Sequence, residues 1–227
     1  MTWIDLDEPR PLPRPQIYSP YIWPNGASIR LAHPVHLPDI SFVKAISSRR
    51  SKRTFAELAD LELGNILWLT CRVQASVESG HGFMLTQRPT PSSGAIHPIH
   101  ILINSPESKT WWRYDAFEHA LVEVKGAESA LADLRSVASE LLPIELATLF
   151  FFVAEPGKTA SKYKNASSLV WRDAGALLGT LALAATALEL AYCPIGLTGN
   201  RWAAKLDPKG QLAGVGLAAL GSTVGET

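Results

Sequence analysis

Ser167–Gly196 reads SSLVWRDAGALLGTLALAATALELAYCPIG, and from Ala174 to Leu188 it carries no charged side chain. Its alanines and leucines favour a helix, with the glycines as the exceptions. Leu177, Leu178, Leu181 and Leu183 do not share one stripe, so a helix here is expected to be covered on all sides. About 15 uncharged residues at about 1.5 Å each span about 22 Å, short of the roughly 30 Å hydrocarbon core of a bilayer. Arg172, Asp173 and Glu189 close the run at both ends. The stretch is therefore expected to be a central helix, buried within one subunit or between two. Gly175 and Gly179, with Ala182 and Ala185, would admit a second helix backbone at close range. Pro194 lacks an N–H and disfavours α geometry at Cys193, so it is expected to end the helix.

Around this stretch the chain divides by composition. Residues 1–40 are rich in proline and are expected to form an extended arm, with Trp3, Tyr18, Tyr21 and Trp23 laid on a protein surface. Residues 41–227 are expected to form a single domain. Asp39 or Ser41 is a cap for a helix placing Phe42, Val43 and Ile46 at helical spacing. LADLELGNILWLTCRV predicts a second helix, burying Leu63, Ile66, Leu67 and Leu69, before a polar loop from about Gln74 to Pro91. HILIN, WWRY, ALVEVK, LFFFVA and GVGLAALG have strand character, with a helix at ESALADLRSVASELL. Strands and helices in this irregular order predict an α+β layered fold instead of a βαβ repeat.

Lysine plus arginine equals aspartate plus glutamate at 21 each. No whole-chain field therefore attracts nucleic acid or a membrane surface, and any phosphate site must be local. No basic segment followed by an apolar one marks a signal peptide. Cys71 and Cys193, far apart in apolar surroundings, are expected to be reduced core thiols in a cytoplasmic protein. No group of residues has metal-ligand spacing.

Four places have the chemistry of a site. Arg49, Arg50, Ser51, Lys52 and Arg53 offer guanidinium forks and a hydroxyl to phosphate oxygens, although a basic run also suits a solvated face or a helix C-terminus. Pro91, Ser92, Ser93 and Gly94, leading through His97 into a strand, are small enough for a planar ligand to approach, and would equally make a turn. Cys193, Pro194, Ile195 and Gly196 could present backbone to a ligand. Lys162 and Tyr163 are an acid/base pair if desolvated and loop residues if not.

Taken in order, RRSKRTF, LGNILW, PSSGAIHP, WRYDAFEHALVEV, the Lys162–Tyr163 pair, DAG and LALAATALELAYCPIG resemble the nitroreductase-like flavoprotein family. More narrowly they resemble its SagB-type branch, which includes azoline oxidases of peptide natural-product biosynthesis. The resemblance implies a three-layer α+β fold, a central mostly antiparallel sheet flanked by helices, with the long helix at a homodimer interface. It implies an FMN-dependent oxidoreductase exchanging hydride at flavin N5. Arg49, Arg50, Ser51 and Arg53 match contacts to the flavin phosphate and ribityl chain. Pro91, Ser92, Ser93 and Gly94 match a segment beside the isoalloxazine, usually from the partner subunit, and Pro194, Ile195 and Gly196 match backbone near N5. Lys162 and Tyr163 match a pair that abstracts a proton in azoline oxidases, whose partner is a cyclodehydratase acting on a peptide. Two alternatives stay open: a reductase of nitroaromatics or quinones using NADH or NADPH, and a degenerate partner subunit, flavin-binding or flavin-free. The second is raised by Gly179-Thr180, where the family commonly has glutamine and asparagine.

Overall fold

The computed structural model of the chain describes residues 4–224, so Trp3 lies outside the described residues. In chain order the elements are β1 (Arg10–Pro11), β2 (Asn25–Arg30), α1 (Phe42–Ser48), α2 (Asp60–Cys71), β3 (Ala75–Val77) and β4 (Leu85–Gln87). After a 3-10 turn at Ser93–Ala95 come β5 (Ile99–Asn104), β6 (Trp112–Asp115), β7 (Ala120–Val124), α3 (Ala127–Ala130), α4 (Leu134–Ser139) and β8 (Thr148–Ala154). The chain continues with α5 (Pro156–Ala160), β9 (Tyr163–Lys164), α6 (Ser167–Ala187), β10 (Ala191–Ile195), α7 (Asn200–Leu206) and β11 (Ala213–Gly221).

A seven-stranded sheet, ordered β10-β11-β8-β5-β6-β7-β2, divides the molecule, and every neighbouring pair in it is antiparallel. This is the α+β fold expected of the sequence. β8, TLFFFVA, is buried along its whole length, which is why it reads as an unbroken apolar run. Its side chains alternate between two cores. Phe151 and Val153 face α3, α4 and α7, and Phe150 and Phe152 face α2 and α6. Burying each of these phenylalanines stabilises the fold by roughly 1.5–3 kcal/mol. The described part of the proline-rich arm, residues 4–40, runs extended over this framework. β1 pairs with β9, and β2 forms one edge of the sheet against β7.

Three local expectations are corrected, at the end of the long helix, in one helix run and in the polar loop. Within one chain α6 buries a single stripe, Leu169, Val170, Asp173, Ala174, Leu177, Leu181 and Ala185, so cover on all sides would need a second subunit. Gly175 and Gly179 on the opposite side are exposed. Pro194 does not end the helix. Glu189 takes a left-handed conformation (φ 59), and Glu189 N–H donates to Thr186 C=O (3.2 Å) and Leu190 N–H to Ala185 C=O (2.8 Å). That is a Schellman closure complete before the proline is reached. Pro194 lies instead in β10, opposite Ala218 on a sheet edge, where a residue without an N–H is tolerated. The helix expected over ESALADLRSVASELL is divided into α3 and α4 near Asp133, whose carboxylate accepts from Trp202 Nε1 (2.9 Å) and Lys205 Nζ (3.1 Å) on α7. The polar loop after α2 contains the β3–β4 hairpin.

Candidate functional site

The basic run begins where α1 runs out of hydrogen-bond partners. Ser41 caps the helix, accepting from Lys44 N–H at 3.2 Å, and Arg49 is its C-cap. Arg50 bends back to donate to the carbonyls of Ser47 (3.2 Å) and Arg49 (2.9 Å), so it performs in part the helix-closing role that basic residues favour. The rest of the run lies against the start of β10. Lys52 N–H donates to Tyr192 C=O at 3.2 Å. Burial pushes the Cys193 thiol up while the Arg53 side chain beside it pulls the other way, and the net shift is upward. Among the described residues no carboxylate comes within ion-pair distance of Arg49, Arg50, Lys52 or Arg53. Four cations without an acid partner are a donor set that fits a phosphate ester. Further along the same strand Ile195 is buried and Pro194 exposed, and a Cβ on Gly196 would meet nothing within 4 Å. The backbone there is open to a ligand.

The second group of residues is assembled by Asp173. This carboxylate, 6% exposed, accepts from Ser92 Oγ (2.5 Å), Ser93 N–H (2.9 Å) and Ser93 Oγ (3.0 Å). His97 N–H in turn donates to Ser92 Oγ (2.9 Å). The segment is tightly turned, with positive φ at Gly94, Ala95 and His97. Gly94 is required twice over. Its φ is 67°, and a Cβ there would lie 2.8 Å from Tyr163 Oη and 2.9 Å from Lys162 Nζ. Lys162 and Tyr163 are thus packed on the small segment, with Lys162 Nζ 3.5 Å from Gly94 O. The arm holds them from behind, through Leu12 N–H to Lys162 C=O (2.8 Å) and the Pro11–Tyr163 register.

The structure therefore brings the predicted residues together as two groups. Arg49–Arg53 adjoins Cys193–Gly196, and Pro91–Gly94 adjoins Lys162–Tyr163. Among the described residues no hydrogen bond or ion pair joins one group to the other. Sequence reasoning missed Asp173 as the anchor of Ser92 and Ser93. The available signal was a carboxylate one residue before the uncharged run.

The nitroreductase family profile matches residues 46–206, a span that includes both groups. The chain belongs to the nitroreductase family. A nitroreductase-like protein from Ralstonia eutropha JMP134 is similar in fold, with a TM-score of 0.65 at 20% identity over 95% of this chain and 100% of that one. A chain of the E. coli microcin synthetase McbBCD complex, solved with truncated pro-MccB17 bound, gives a TM-score of 0.57 at 15% identity over 85% of this chain and 77% of that one. A nitroreductase-like protein from Desulfovibrio desulfuricans in complex with FMN gives 0.50 at 17% identity, over 83% and 92% of the two chains. Among the curated proteins none matches the chain. In this member of the family the Gly179-Thr180 turn of α6 offers no free side-chain donor, since Thr180 Oγ1 donates to Ala176 C=O of its own helix at 2.8 Å. Among its described residues no helix is long and apolar enough to cross a membrane, and no three His, Cys, Asp or Glu side chains are grouped to hold a metal ion.

Proposed function

We propose that the chain is an FMN-dependent oxidoreductase acting as a homodimer, with Arg49, Arg50, Ser51 and Arg53 holding the flavin phosphate and ribityl chain. The observation that carries this is the set of acid-free cations beside the open backbone at Gly196, in a chain of the nitroreductase family. Bound FMN supplies two-electron hydride chemistry, which no side chain offers. The chain's own residues position it and manage protons. Pro194, Ile195 and Gly196 border the reactive edge. Pro91, Ser92, Ser93 and Gly94, fixed through Asp173, flank the ring of the partner's flavin.

Within that activity we favour oxidation of an azoline ring in a peptide by a SagB-type enzyme working beside a cyclodehydratase. Two observations support it. Lys162 and Tyr163 sit on Gly94, where either could take the proton from the carbon being oxidised. A similar fold also occurs in a microcin synthetase complex with a peptide bound. The alternative of a partner subunit without catalysis is favoured by one feature, the Gly179-Thr180 turn with its hydroxyl spent on its own helix.

The test is the absorbance spectrum of the purified protein, followed by NADPH or NADH under nitrogen. Flavin bands are expected at about one flavin per chain, and an Arg49→Ala, Arg53→Ala double variant should lose them with its far-ultraviolet circular dichroism unchanged. A colourless protein that takes up no FMN would overturn the flavoenzyme reading in favour of the degenerate subunit. Bleaching by the nicotinamide would favour the nitroaromatic or quinone reductase. If the bands persist, replacing Lys162 and Tyr163 together should abolish azoline oxidation with flavin retained, and full turnover would reject their role.

A further inference from the structure

β5 and β6 pair only at Leu102–Arg113 and Ile103–Trp112, although β5 starts at Ile99 and β6 runs on to Asp115. The strands part beyond Leu102 and Arg113, and a cavity of about 210 Å³ lies in the gap. Thr70 and Cys71 at the end of α2, Asp173 and Leu177 of α6, and Pro91 and Ser92 wall it off.

Two half-buried arginines face this space, Arg88 and Arg113. Among the described residues Arg88 makes one side-chain hydrogen bond, from Nε to Thr86 Oγ1 (3.0 Å), and its terminal nitrogens make none. Arg113 makes no side-chain hydrogen bond. Its Nε is buried without a partner, and its guanidinium lies 5.7 Å from the Trp23 ring. Neither arginine has a carboxylate within 4 Å. Asp115 stands on the same wall and its charge favours both guanidiniums through space, but the acids nearby make their hydrogen bonds to other groups. Asp173 holds Ser92 and Ser93, Asp115 accepts from Phe117 and Glu118 N–H, and Glu155 takes His100, Lys158 and Tyr21 N–H. Burial lowers the pKa of both guanidiniums from the ordinary value, the mark of cations held out of water. His97 and His100, also on the wall, are pushed down to about 4, chiefly by burial, so they are uncharged at neutral pH. A cation away from water that meets acids only through space is costly, and each fork still has donors to offer.

We propose that the gap between β5 and β6 binds a small amphipathic carboxylate, its carboxylate held by Arg88 and Arg113 and its apolar body against Ile99, Ile101 and Leu177. Guanidinium forks match a planar carboxylate bidentately. At about 30 Å³ per water in the liquid, the cavity has room for about seven water-sized groups, which sets the ligand near the size of benzoate. The site meets the proposed flavin site only at Pro91 and Ser92, since neither Arg49–Arg53, Gly94 nor Lys162–Tyr163 lines it.

The test is calorimetric titration of the purified protein, in carboxylate-free buffer, with benzoate and separately with inorganic phosphate. One benzoate per chain is expected, bound about tenfold or more tightly than phosphate, unchanged by saturating FMN, and weakened about tenfold or more in Arg88→Met and in Arg113→Met. Arg88→Lys keeps the charge without the fork. With an unaltered melting temperature it should still bind benzoate several-fold more weakly, which separates loss of the site from loss of the fold. Absence of benzoate binding, preference for phosphate, displacement by FMN, or unaltered affinity in the folded variants would each overturn the proposal. Because the titration needs neither flavin nor turnover, its failure is distinct from failure of the flavoenzyme reading.

Discussion

Asp173 is the only acid in α6, and three hydrogen bonds from Ser92 and Ser93 account for its burial. The sequence displays the residue in DAG but not its partners, which lie some eighty positions away, so the small segment was legible as a tight turn and its anchor was not. The same holds for Glu155, buried to 0% exposure. Burial pushes its pKa up, but hydrogen bonding by His100 and the Lys158 charge outweigh that and bring it down to about 2. These groups set a pH dependence whose sign is fixed. His97 and His100 are pushed from 6.5 down to about 4, chiefly by burial. Between those values the unfolded chain binds protons that the folded chain refuses, so the stability present above about pH 6.5 is lost as pH falls towards 4. Glu155, depressed from 4.5, adds its own loss only below about pH 4.5. A tenfold change in proton affinity is worth about 1.4 kcal/mol, so each histidine carries on the order of a few kcal/mol. The melting temperature should fall steadily from pH 7 to pH 4, and a His97→Gln, His100→Gln variant should flatten the slope. Equal slopes in the two proteins would show that other groups carry the acid sensitivity.

At the level of elements, GVGLAALG was legible as a strand because it is apolar and bounded by glycine, yet nothing in it marks the register shift between Gly214 and Gly216. That bulge brings β11 onto the turn leading into α7. A Cβ on Gly214 would fall within 3 Å of Gly199 C, Asn200 N and Thr198 O, all backbone atoms that cannot swing aside. Gly214→Ala should therefore destabilise the protein by about 1–3 kcal/mol, read as a lower denaturant midpoint with the slope unchanged. Gly80→Ala is the control, since Gly80 is exposed and nothing lies within 4 Å of its Cβ position, and it should shift stability by no more than about 0.5 kcal/mol. A Gly214→Ala protein as stable as the parent would mean that the turn before α7 yields without cost. The end of α6 carries a related lesson. Proline was the visible stop signal, but the closure at Glu189 uses a left-handed non-glycine residue, which composition does not announce.

Across the whole molecule, the sequence made the layered fold legible, since strand and helix runs were separable by period and the unbroken run of β8 marked the middle. Its uncharged long helix was read as needing cover on every side, whereas a single chain covers one. The bare side carries Gly175 and Gly179, with Trp171 45% exposed. Packed alongside on α1 are Phe42, Val43 and Ile46, 68%, 72% and 51% exposed. An apolar face of this kind is what a second copy would cover. Gly179→Leu distinguishes the two situations. For an isolated chain the substitution places a side chain in open space and replaces a poor helix former with a good one, a gain of up to about 1 kcal/mol. In a dimer whose helices approach at the glycines, the leucine forces them apart. Light scattering behind size exclusion should show the parent at twice the chain mass and Gly179→Leu at the chain mass, with bound flavin lost in parallel because the cofactor draws residues from both copies. A variant that keeps the parent's mass and its flavin, and merely melts higher, would remove α6 from the interface.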